Sequence, residues 1–356
     1  MSGFDEYKRL TEPDKKEKLE IWQTAIGLQE VDRLKPSDYL IETAKQNIDG
    51  IITISDVKER LNEYYKAKDE KNDGARCDSR TEEADKVSAH IAEILAEKTF
   101  KFSPAELISI HRRLFTGIYK IAGIIRDYNI SKDEWVLNGD TVFYASADSI
   151  KETLDYDFAA EKKFDYKGLN IKQKVEHIAD FISGIWQIHP FGEGNTRTAA
   201  VFLIKYLRSM GFAVSNDMFA EHSWYFRNAL VRANFNKHTT ETYPTMEYLL
   251  RFLGNLLLGE KNLLRNRDMR IRTENDDNTE NKVQNKVQNK VQNKVQNDIL
   301  KIIADCPNIT QKELANLINK SERSIKTIMT TMQEQNLIVR SGSKKTGHWK
   351  ILSSRR

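Results

Sequence analysis

Apolar residues recur at helical spacing along most of the chain. Residues 57–68 (VKERLNEYYKAK) and 84–98 (ADKVSAHIAEILAEK) set apolar positions three and four apart among charged ones. In 171–188, Val175, Ile178, Ile182 and Ile185 form one apolar face, and 198–210 is apolar nearly all round, which predicts a central helix. Two further helices are predicted over 223–235 (SWYFRNALVRANF) and 246–259 (MEYLLRFLGNLLLG). Ser103-Pro104 opens another, a serine cap followed by proline in the first turn. One stretch breaks the pattern. EWVLNGDTVFYA sets Asn138-Gly139 between β-formers, which predicts a lone two-stranded hairpin on a helical body.

The pattern changes again after residue 265. TENDDNTEN has a polar, disordered composition, and four copies of NKVQ follow at 281–296. One valine in four makes a weak helical stripe, but a period of four drifts against 3.6, so the stripe winds around the helix. Two readings stand: a tethering linker, or a coiled seam that would make a homodimer. Residues 298–356 then read helix, helix, helix and a two-stranded wing. Thr310 caps the second helix and Ser321 opens the third, SERSIKTIMTTMQEQ, over about 322–335. That is the pattern of a winged helix-turn-helix. The expected organisation is a helical region at 1–100 packing on a core at 101–265, a linker at 266–297 and the winged module at 298–356.

With 356 residues, 39% hydrophobic and 30% charged, the chain suits a soluble globular protein of two or three domains. No apolar run approaches the roughly 18 residues of a membrane span, so no membrane partner is expected. The first twenty residues are too polar for a signal peptide. The two cysteines, Cys77 and Cys306, lack metal-ligand spacing and read as reduced thiols in a cytoplasmic protein. The net charge of +4 is uneven: residues 298–356 hold 11 Lys/Arg against 5 Asp/Glu, and the remainder 45 against 47. Duplex DNA is therefore expected as a partner of the tail alone. Arg323 and Lys326 would stand near base edges at the start of the third helix, with Lys344 and Lys345 of the wing near phosphates.

The densest chemistry lies at 189–200, HPFGEGNTRTAA, just before the central helix. A helix N-terminus exposes free backbone N–H groups and a positive dipole end. Gly194-Asn195-Thr196 can wrap a phosphate there, and Arg197 can fork onto its oxygens. Glu193 offers the hard oxygen ligand that Mg²⁺ takes beside a polyphosphate. His189, near neutrality, is suited to accept a proton from an attacking hydroxyl. Phe191 is apolar and turns inward as an anchor. Cradle, metal ligand, cation and base together describe phosphoryl-group chemistry.

This constellation resembles the Fic family signature HxFx[DE]GNGRxxR. The match covers His189, Phe191, Glu193, Gly194, Asn195 and Arg197, and the segment HRRLFTGIYKIAGIIRDYNI resembles the approach to the family's flap. The likeness spans about residues 40–260. It implies a mostly α fold, a helical bundle with a β-hairpin flap, here followed by the winged helix-turn-helix. It implies transfer of AMP from ATP, with Mg²⁺, to a Ser, Thr or Tyr hydroxyl of a protein or of the chain itself. His189 would be the general base, and Glu193 the metal ligand. Gly192, Gly194, Asn195 and Thr196 would lie against the nucleotide, with Arg197 on the β- and γ-phosphates. The flap residues Trp135, Val136, Leu137, Asn138, Gly139, Asp140, Thr141, Val142, Phe143 and Tyr144 would align the target. Two alternatives stand beside it: phosphate transfer, as in Doc toxins, and a DNA-binding regulator that uses the body as a nucleotide sensor.

Two positions depart from the signature. Thr196 replaces a glycine, so the loop there must fit ordinary helical geometry. Ala200 replaces the second arginine, which in autoinhibited members pairs with a glutamate of an inhibitory helix, [ST]xxxE[GN]. SRTEEA at 79–84 has that spacing and offers Glu83 but ends in alanine. AKQNIDG at 44–50 has the context but offers Asp49 instead of glutamate. Context favours Asp49, and a degraded switch is expected.

Overall fold

The computed structural model describes residues 4, 12–71, 79–214, 217–271, 299–300, 302–304, 306–318, 322–334, 337–341 and 348–352. The chain forms two compact units that divide between Ile271 and Arg272. Residues 266–271, expected in the linker, belong to the first: Met269 is buried, and the Ile271 N–H donates to the Val136 carbonyl. The NKVQ repeats lie outside the described residues.

The first unit is helical: α1 Pro13–Gly27, α2 Asp38–Ile48, α3 Ile54–Lys71, α4 Ser79–Ala96, α5 Pro104–Phe115, α6 Ile150–Lys163, α7 Ile171–Ile188, α8 Asn195–Ser209, α9 Asp217–Asn234 and α10 Glu247–Leu258. The local signals act as read. Ser103 accepts the Glu106 N–H with Pro104 in the first turn, and Asn170 and Gln173 form a reciprocal capping box on α7. Val175, Ile178, Ile182 and Ile185 are buried on α7, and α8 is buried from Asn195 to Leu207, so α8 is the axis of the core. The N-terminal helices are part of this core. α1 packs on α4 and α9, and a Cβ added at Gly27 would lie 2.4 Å from the Ala220 Cα. A 3₁₀ turn, Leu28–Asp32, carries the chain from α1 over α8 and α9.

Residues 135–144 are not a β-hairpin. The turn is the one expected: Asn138 and Gly139 take φ of 54° and 90°, and the Asp140 N–H donates to the Leu137 carbonyl. The ladder fails because Trp135–Leu137 coil into a 3₁₀ turn, whose Val136 and Leu137 are buried in the core. Burial on one side outweighs the local β preference.

The second unit holds helical residues at 299–304, the helices Gln311–Ile318 and Glu322–Glu334, and two antiparallel strands, β1 Ile338–Ser341 and β2 His348–Ile351. Its core includes Ile299, Ile303, Leu314, Ile325, Met329, Met332, Ile338 and Trp349. Thr310 caps the Gln311–Ile318 helix reciprocally with Glu313.

Candidate active site

α7 ends at Ile188, and His189 takes the left-handed conformation, φ 50° and ψ 59°. A non-glycine residue there costs about 1–2 kcal/mol, so something must hold it. Arg126 does: its Nε donates to the His189 carbonyl at 2.8 Å, and its backbone N–H to the Pro190 carbonyl at 2.9 Å. The His189 Nδ1 lies 3.2 Å from the Trp186 carbonyl. A carbonyl only accepts, so Nδ1 carries the proton and Nε2 keeps its lone pair. Burial, and then the Lys132 charge, hold the His189 pKa well below the ordinary histidine value. The ring is neutral at pH 7, which a proton acceptor requires.

The rest of the loop is fixed from below. Phe191 stacks on His111 with centroids 3.7 Å apart. The Gly123 N–H donates to His111 Nδ1 at 2.8 Å, which leaves Nε2 protonated to donate to the Glu193 carbonyl at 3.0 Å. Burial brings the His111 pKa down to about 4, so this ring too is neutral. The Asn195 amide accepts the Phe191 N–H at 3.0 Å and donates to the Phe191 carbonyl at 2.7 Å. Gly194 has φ 77°, and a Cβ there would fall 2.3 Å from the Phe115 ring. Thr196 sits inside the first turn of α8, and its hydroxyl accepts the Trp186 indole N–H at 3.0 Å. The helical geometry that a β-branched residue needs is thus present. A Cβ at Gly192 would meet the Tyr128 hydroxyl at 2.6 Å.

Glu193 reaches outward, 60% exposed, with Oε2 2.8 Å from the Lys132 ammonium. An exposed pair of this kind contributes about 0–1 kcal/mol, so a divalent cation can take the carboxylate from the lysine. No cluster of three or more His, Cys, Asp or Glu fit to hold a metal occurs among the described residues. A lone carboxylate beside the N-terminus of α8 fits Mg²⁺, which takes one or two carboxylates and completes its shell with substrate phosphate and water.

Arg197 is buried among acids. Its terminal NH2 donates to Glu83 Oε1 at 2.6 Å and its NH1 to Gln29 Oε1 at 3.1 Å. Its Nε lies 2.9 Å from Asp32 Oδ2, but without hydrogen-bond geometry. The Tyr119 hydroxyl also donates to Glu83, at 2.5 Å. The 3₁₀ turn supplies Gln29 and Asp32, and the first turns of α4 supply Glu83. Of the two acids weighed as inhibitory, the structure brings Glu83 to the loop. Asp49 is the exposed C-cap of α2. Position 200, a fully buried alanine, makes no such ion pair; Glu83 pairs instead with Arg197.

The acids continue toward the flap. Asp32 Oδ1 accepts from Arg227 NH1 at 2.9 Å, and Arg227 NH2 donates to both oxygens of Glu134 at 3.1 and 3.2 Å. The Tyr144 hydroxyl donates to Glu134 at 3.3 Å, and its ring centroid lies 4.1 Å from that of His189. Of the other flap residues, Phe143 and Trp135 present aromatic surface to solvent, Asp140 pairs with Lys237, and the Thr141 hydroxyl accepts the Lys132 N–H at 3.1 Å. His111, Arg126, Asp32 and Arg227 were not singled out from sequence. Only Arg126 and His111 had a signal, since both lie in the segment 111–130 that resembles the approach to the flap. In the second unit, Lys326 is exposed on the Glu322–Glu334 helix, which also contains Arg323. Lys344, Lys345 and Ser321 lie outside the described residues, as does Cys77; Cys306 is a free, exposed thiol.

Residues 101–207 match the Fic/DOC family. These residues are a Fic domain within the chain. Residues 292–339 match the winged helix-turn-helix DNA-binding family, so a second domain follows the Fic body. The protein adenylyltransferase VbhT of Bartonella schoenbuchensis is 25% identical over 179 residues, which is 47% of this chain and 36% of that one. The match thus spans about a third of that relative's length. Among solved structures, the N-terminal Fic domain with bound ADP of a Bep effector from Bartonella quintana is 20% identical. It covers 52% of this chain and 87% of that one, with a TM-score of 0.41. A Fic family protein from Desulfovibrio desulfuricans is 13% identical, covering 99% and 91%, with a TM-score of 0.43. No helix among the described residues is long and apolar enough to cross a membrane.

Proposed function

We propose that this Fic protein transfers AMP from ATP to a hydroxyl of a protein, possessing a DNA-binding tail that sets where it acts. The observation that carries the reading is the state of His189: a buried, neutral imidazole with its proton on Nδ1 and its lone pair on Nε2. A nucleotide sensor has no use for such a base. In the reaction the hydroxyl oxygen bonds to the α-phosphorus, its proton passes to His189 Nε2, and the bond to the β-phosphate oxygen breaks to release pyrophosphate. The first-turn amides of α8 line the phosphate site, and Arg197 takes the β- and γ-phosphates once free of Glu83. Glu193 would hold Mg²⁺, which screens the phosphate charge. Thr196 sits where Doc toxins carry a lysine, which favours AMP over phosphate as the group moved. Autoinhibition belongs to the same reading, since Glu83 occupies the arginine that the triphosphate needs.

Intact-mass spectrometry after incubation with ATP and Mg²⁺, alone and with a lysate, tests the reading. An AMP adduct is expected, absent in His189→Ala, which should still bind nucleotide. A phosphate adduct, or an AMP adduct undiminished in His189→Ala, would overturn it.

A further inference from the structure

The Asp32 carboxylate is shared between two buried arginines. Oδ2 lies 2.9 Å from Arg197 Nε and Oδ1 2.9 Å from Arg227 NH1. The two guanidinium groups thus bracket one small oxyanion. The Arg197 and Arg227 side chains are 1% and 17% exposed, while that of Asp32 is 28% exposed. The carboxylate is the part of this trio most open to a solute. The Nε–H groups of both arginines are buried and find no hydrogen-bond acceptor. A buried donor left unmet is costly, and a phosphate carries more acceptor oxygens than a carboxylate to meet it. Glu134 holds the NH2 of Arg227, which fixes that side chain while NH1 donates to Asp32 at 2.9 Å and to the Val31 carbonyl at 3.2 Å.

We propose that Arg197 and Arg227 together form the subsite for the terminal phosphate of ATP, and that Asp32 is the resident carboxylate which that phosphate displaces. The proposal rests on the reading that ATP binds at the 189–197 loop. Arg227 comes from α9, far from the loop in sequence, and supplies a second phosphate-binding cation beside the first turn of α8, where Arg197 is the one basic residue. If its role were instead only to pin Glu134 and the flap base, nucleotides with and without a γ-phosphate would respond alike to its loss.

Equilibrium binding of AMP, ADP and ATP to the full chain, without a target, separates the two. Arg227→Met should weaken ATP roughly tenfold, as expected for a lost charge-assisted contact, and AMP less than twofold. Asp32→Asn should strengthen ATP several-fold, and that gain should vanish when combined with Arg227→Met. Glu134→Gln should leave the ratio of ATP to AMP affinity unchanged. Should Arg227→Met fail to fold, Arg227→Lys, which keeps the charge but loses the fork, is expected to weaken ATP selectively as well. An unchanged ratio in the Arg227 variants, with Arg197→Met still losing ATP, would overturn the subsite and leave the reading of the loop standing. So would an Asp32→Asn gain that survives in Arg227→Met. A wild-type chain that binds none of the three nucleotides would remove the reading underneath, and the proposal with it.

Discussion

At the scale of single residues, the loop depends on two histidines kept neutral by burial. His111 has no part in the chemistry, yet its two nitrogens tie Gly123 to Glu193, and its ring carries Phe191. This bridge works only with Nδ1 unprotonated, because Nδ1 must accept. Its pKa of about 4 lies below the roughly 6.5 of an unfolded histidine. Below pH 6.5 the unfolded chain therefore takes up a proton that the folded chain refuses. This contribution is whole above pH 6.5 and is lost as pH falls, by on the order of 3 kcal/mol by pH 4. His189 acts in the same direction. We expect the melting temperature to drop between pH 7 and pH 4.5, and the drop to be smaller in His111→Gln. Equal drops in the two proteins would show that acid attacks the fold elsewhere.

At the scale of elements, the question is whether α4 restrains the enzyme. The helix is bolted at several points. Asp85 holds the Ser37 N–H at 2.8 Å and the Tyr65 hydroxyl at 2.6 Å, and Lys205 donates to the Ile94 and Glu97 carbonyls. Glu83 is thus presented to Arg197 by a fixed helix. If ATP binds as proposed, its triphosphate must break that buried pair before Arg197 can serve it. We expect Glu83→Ala to raise the AMP-transfer rate at least tenfold, and Asp49→Ala to change it less than twofold. Removing one partner of a buried pair costs about 3–5 kcal/mol when nothing else meets the charge. Asp32 and Gln29 still face Arg197, so the loss of stability should fall short of that range. A folded Glu83→Ala with an unchanged rate would show that the pair is only structural. The helices and their caps were legible in the sequence because period and cap chemistry are local. So were the parts of the loop. What could not be read was partnership across the fold. Glu83 had the right spacing but the wrong following residue, and context favoured Asp49; only the packing of α4 against α8 shows which acid meets the arginine. The flap failed in a related way. Asn138-Gly139 made its turn, but burial of Val136 and Leu137 coiled the strand before it.

At the scale of the molecule, a body whose charge nearly cancels is joined to a tail with a net charge of +6 from 11 basic and 5 acidic residues. The tail was legible, from the Thr310–Glu313 cap to the antiparallel wing, because each part is a short local motif. Its core is closed by Trp349 and the helix faces of Ile325, Met329 and Met332, which leaves Lys326 exposed on the helix that a winged helix-turn-helix lays in the major groove. If that helix reads bases, the wing lysines Lys344 and Lys345 should contribute phosphate contacts without sequence preference. Neutralising both in the full chain should then weaken binding to every duplex alike. Each phosphate contact contributes about 0.9 to the slope of log affinity against log salt, so the double variant should flatten that slope by about two. Lys326→Ala should act differently, by weakening a preferred sequence more than a random one. A wild-type chain whose duplex affinity shows no salt dependence would turn the tail into a protein-binding module, and the Fic body would then be brought to its target by a protein instead of by DNA.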